Sequence, residues 1–88
     1  GVEKKASKTI RLLTALSLDW PLLAGEKFAP HSRPAEIKSS RGEKKLATLV
    51  VKARRAKLLE VEAAVPLILE RITLHYGYAL FGGIQVVA

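Results

Sequence analysis

The chain contains no cysteine, which rules out a disulfide framework and thiolate chemistry and leaves the compartment open. It contains no methionine either, not even at position 1, so Gly1 reads as the scar of a cleaved tag or the edge of a trimmed fragment. No apolar run approaches the roughly eighteen residues that a membrane-spanning helix needs, and no signal-peptide pattern is visible. The default expectation is an intracellular soluble protein. Titratable groups suited to catalysis are scarce. Asp19 is the single aspartate, and the two histidines, His31 and His75, lie far apart in sequence. Without cysteine they offer no set of three or four metal ligands at workable spacing. Ser32 follows His31 but lacks the strained elbow and positioned acid of a triad. Glu60 and Glu62, two residues apart, fall on different faces of a helix and cannot share acid–base work. Gly82-Gly83 leads into an expected strand, the reverse of the strand-to-helix order of a phosphate loop. The chain is therefore expected to be no enzyme and to use no cofactor or metal. His31 is expected in a turn or beside a cap, and His75 at a helix C-terminus, where it complements the dipole.

What the chain does have is apolar residues and positive charge. Its 88 residues are 49% apolar, enough for one domain with a modest core and too ordered a composition for a disordered protein. The net charge of +7 is unevenly placed. Residues 27–57 carry ten basic and two acidic side chains, whereas residues 58–88 carry one basic and three acidic. A positive middle third points to a polyanion, nucleic acid first and an acidic membrane surface second.

The longest apolar stripe organises the rest. Leu58, Val61, Val65, Ile68 or Leu69, Ile72 and Tyr76 recur every three or four residues, which predicts a helix over 54–76. Pro66 lies inside it and predicts a kink, since the stripe keeps its phase across that residue. Gly77 is expected to stop the helix. Upstream, residues 1–7 read as a flexible segment and 8–88 as the single domain. Ile10, Leu13 and Leu16 suggest a short helix. Asp19-Trp20-Pro21 reads as a fresh helix start, with Asp19 as the cap, ending near Ala29 before Pro30. His31–Pro34 is expected as a turn, 35–39 as a weak strand with Ile37 inward, and 46–53 as the clearest strand, the two joined as a hairpin. After a connection over 78–83, Ile84–Val87 reads as a last strand, beyond which a full-length protein is expected to continue. The order α-β-β-α-β defines an α+β domain: a three-stranded sheet packed on a long kinked helix.

The basic residues carry the functional expectation. Lys38, Arg41, Lys44 and Lys45 flank or occupy the hairpin loop, and Lys52, Arg54, Arg55 and Lys57 lie beyond it. A charged hairpin beside the basic start of a helix can follow a phosphate backbone, and free N–H groups at that start favour an anion. Aromatic interleaving is thin, so no base-stacking platform is expected.

These stretches resemble a known family. WPLLAGEKFAPHSRP at 20–34, LATLVVKA at 46–53, AAVPLILERITLHYGY at 63–78 and the closing IQV strand stand in the order and spacing of the DciA family of bacterial replicative helicase operators. The resemblance implies a KH-like fold without enzymatic activity. It also implies binding to DNA, single-stranded or forked, and to the replicative helicase that the family helps to load, in a cytoplasmic, nucleoid-associated setting. Trp20 and Arg33, within the first of these motifs, are the partner contacts it suggests. Family members often open the main helix with a small residue and an aromatic near 55 and 57, where this chain has Arg55 and Lys57. The Gly-x-x-Gly loop of true KH domains is missing, so binding must rest on the basic surface. An RNA-binding KH-like module and a protein-binding adaptor are the competing expectations.

Overall fold

A computed structural model describes residues 2–39 and 46–88, with side chains from residue 8 onward. Helix α1 spans Val2–Ala24, strand β1 Ser32–Lys38, strand β2 Ala47–Ala53, helix α2 Leu58–Tyr76 and strand β3 Phe81–Val87. The sheet has the order β1-β2-β3. β1 pairs antiparallel with β2, and β3 pairs parallel with it, so the sheet is mixed. A parallel return needs a long crossover, and α2 supplies it. The fold is α+β, with two helices and a three-stranded sheet, as the order of apolar patterns predicts.

The core lies between the helices and one face of the sheet. Val61, Ile68 and Ile72 of α2 meet Leu16, Trp20 and Leu23 of α1 and Leu49, Val51 and Ala53 of β2, all buried. Leu58, Ile84 and Phe28 pack against this cluster half-buried. Leu49 and Val51 point to the helices, so Val50 between them points the other way. It is only 4% exposed, yet lies outside the core cluster. Its face of the sheet has no helix over it among the described residues.

Several boundaries differ from expectation, for identifiable reasons. Residues 19–21 do not open a new helix: α1 runs through them with Pro21 inside. By contrast α2 continues through Pro66, as the unbroken phase of its stripe predicts. Both prolines sit on exposed faces, where water can take the carbonyl each leaves unpaired. α1 ends at Ala24 rather than near Ala29, because Gly25 takes φ +86 and its N–H donates to the Pro21 carbonyl at 3.1 Å. The expected turn at 31–34 is partly strand. Pro34 is tolerated because β1 is an edge, and the register shifts between Pro34 and Glu36. Arg54 is extended and Arg55–Lys57 form a 3₁₀ turn, so the α-helix begins at Leu58. Gly77 closes α2 at φ +84, as expected. β3 begins at Phe81 and takes in Gly82-Gly83, which the sequence reading left in a connection.

Candidate nucleic-acid interface

The strand register gathers distant cations at one end of the sheet. Arg33 on β1 is paired with Lys52 on β2, and antiparallel partners share a face, here the one turned away from the helices. Lys52 is in turn paired with Val87 of β3. Arg54 and Arg55 follow β2 directly, and the Arg54 N–H donates to the His31 carbonyl at 2.9 Å. That bond ties the turn before β1 to the turn after β2. Between these segments lies a cleft of about 440 Å³, lined by Pro30, His31, Ser32, Arg33, Lys52, Ala53, Arg54, Arg55 and Ala88. Four of these residues are basic and none is acidic. Among the described residues, none of the four cations has an acidic partner within ion-pair distance. All four are exposed.

The cleft wall is braced from beneath. Trp20 is buried, and its Nε1–H donates to Ser32 Oγ at 3.0 Å. The Ser32 hydroxyl donates in turn to the Phe28 carbonyl at 2.8 Å. The structure thus places Trp20 inside, behind the strand that carries exposed Arg33. His31 lines the cleft, and its Nδ1 is buried with no hydrogen-bond partner.

The expected basic residues divide into groups. Lys52, Arg54 and Arg55 come together in the cleft. Lys57 instead lies 3.4 Å from Glu60 one turn along the chain. Lys38 shares the open face but stands opposite Thr48, four residues from Lys52 along β2, about 13 Å at strand rise. It reaches across β2 to Gln85 at 3.5 Å. Arg41, Lys44 and Lys45 lie outside the described residues. The N–H groups expected to be free at the helix start are partly used, since Lys57 N–H donates to Arg54 O and Leu58 N–H to Arg55 O. Reading the residues one by one assigned His31 to a turn and gave it no role at a surface. No local pattern marks it, because its neighbours Arg54 and Arg55 come from another turn.

A second polar cluster joins the helices. Asp19, expected as a cap, accepts a hydrogen bond from the Tyr76 hydroxyl at 3.1 Å and lies 3.1 Å from His75 Nε2. Burial, followed by the hydrogen bond and charge of Asp19, pushes the Tyr76 phenol up from its ordinary 10.0 to about 12. The folded state therefore keeps a proton that the unfolded chain releases. The associated stability is complete below pH 10 and is lost as pH rises toward about 12. Tyr76→Phe should cost about 1 kcal/mol at neutral pH. Urea unfolding at pH 8 and pH 11 should show a smaller alkaline loss in the variant than in the parent. Equal losses would mean that folding does not raise the phenol above its ordinary value. The cluster does not line the cleft, and no group of three or more potential metal ligands converges among the described residues.

Fold and site define a small α+β domain whose unpaired cations meet at one end of a mixed sheet. The family model described as Dna[CI] antecedent, DciA, matches residues 2–86. The chain belongs to the DciA family. That family is linked to loading of the bacterial replicative helicase and is not a known catalytic family. Comparison with curated proteins and with solved structures gave no match. No helix among the described residues is long and apolar enough to cross a membrane.

Proposed function

We propose that this is a KH-like, non-enzymatic nucleic-acid-binding domain that assists loading or operation of the bacterial replicative helicase in the cytoplasm, at the nucleoid. The observation that carries the nucleic-acid part is the cleft: Arg33, Lys52, Arg54 and Arg55 at one end of the sheet, with no acidic side chain among its lining residues. Cations without partners are free to replace the counterions of a phosphate backbone, and binding of that kind is sequence-independent. Lys38 extends the same face, and Arg41, Lys44, Lys45 and Lys57 add to the positive field along the chain. The α-β-β-α-β order with both helices on one side of the sheet supports the KH-like reading. Family membership supports the helicase as protein partner, with Arg33 exposed for contact and Trp20 holding its strand in place.

Fluorescence anisotropy of a labelled single strand at low salt tests the reading, with unlabelled DNA and RNA of equal length as competitors. Binding with DNA as the better competitor is the expected result. RNA as the better competitor would make this an RNA-binding module. Absence of binding to either would leave a protein-binding adaptor, and a pull-down of the replicative helicase would then carry the function alone.

A further inference from the structure

We infer that the cleft seats the terminal phosphomonoester of a nucleic-acid strand; this rests on the nucleic-acid reading above and names which part of the strand enters. The first argument is charge density. An internal phosphodiester carries one charge and two free oxygens, and successive diesters are best met by cations spaced along a track. Here Arg33, Lys52, Arg54 and Arg55 surround one concavity. A phosphomonoester brings about −1.5 to −2 charges and three acceptor oxygens to a single point, which suits such a cluster. The guanidinium forks of three arginines match its oxygens in geometry as well as in charge.

The second argument is the wall. His31 lines the cleft through its other atoms, since its Nδ1 is closed to solvent, and the hydroxyl of Ser32 is already bonded to Trp20 and Phe28, so the four cations are left as the groups that meet an anion. The third argument is shape. A volume of about 440 Å³ accommodates one phosphate with its sugar.

The test compares three oligonucleotides of one sequence, carrying a 5′-phosphate, a 3′-phosphate or hydroxyls at both ends, each with an internal fluorophore. Wild type should bind at least one phosphorylated strand about tenfold more tightly than the unphosphorylated strand. Arg54→Ala with Arg55→Ala should abolish that difference, and Arg33→Ala should reduce it, with circular dichroism confirming that both variants are folded. Equal affinity for all three strands overturns the inference while leaving the nucleic-acid reading intact. No binding of any strand at low salt overturns the nucleic-acid reading itself. Inorganic phosphate is the fourth probe. If it occupies the cleft as tightly as the phosphorylated strand, the site takes a free anion and the assignment to a strand end falls.

Discussion

Replacing Arg54 and Arg55 together by alanine should weaken single-strand binding about 25-fold at 0.1 M salt. Each phosphate neutralised on a single strand contributes roughly −0.7 to the slope of log K against log salt. Between 1 M and 0.1 M salt that is about fivefold per phosphate charge, so the two charges these arginines meet, on one terminal phosphate or on two diesters, give about 25-fold and a slope shallower by about 1.4. The loss should be alike for all sequences, because the cleft offers charge and no base-reading surface. Stability should hold. Both side chains are exposed, neither belongs to the core, and the structural bond here is made by the Arg54 backbone N–H, which alanine retains. The control is Glu60→Ala with Glu62→Ala. It releases Lys57 from Glu60 and should tighten binding slightly or leave it unchanged. A salt series by anisotropy reads both. If the arginine variant keeps wild-type affinity and slope, the phosphate-contacting surface lies elsewhere on the chain.

The second large effect is on the fold. Ile72 is fully buried, in the cluster shared by both helices and β2. Ile72→Ala removes three carbons and leaves a void that the surrounding side chains cannot close, so it should cost about 2–5 kcal/mol. For a domain of this size that corresponds to a fall in Tm of roughly 10 °C or more. Leu59→Ala makes the contrast. It is on the same helix, but its side chain is 78% exposed, and its loss should stay within about 0.5 kcal/mol. Urea midpoints of the two variants decide the matter. Equal midpoints would mean that the stripe from Leu58 to Tyr76 does not face the core.

That stripe was legible in the sequence because helical periodicity is a local property. Val61, Ile68 and Ile72 follow from spacing alone, and so does the stop at Gly77, where the backbone takes φ +84. The alternation in β2 was legible for the same reason. Prolines were a poorer guide. A proline's cost depends on whether water can reach the orphaned carbonyl, and exposure is settled by packing. Pro21 therefore sits inside a helix where the sequence suggested a start, whereas Pro66 sits inside one helix as the phase of the stripe predicts. Phe81, buried, was expected in a connection, because its strand starts earlier than the sequence suggested.

The site was legible in part. Composition placed the positive charge in residues 27–57, and the run Arg54-Arg55 after a strand was visible as a pair. Which cations face one another was not visible, because register is set by pairing between strands. A shift of one residue in β1 would turn Arg33 away from Lys52 and the open face. Nor does any local signal join Asp19 to Tyr76, 57 residues later, or His31 to Arg54. The sequence by itself determined the class of fold, the core face of α2, the family and the charge of the middle third, since each of these is periodic, compositional or a matter of ordered motifs. Only the tertiary structure decided that Arg33, Lys52, Arg54 and Arg55 share a cleft with His31, because that assembly requires three strands to meet in one register and two distant turns to be joined by a backbone hydrogen bond.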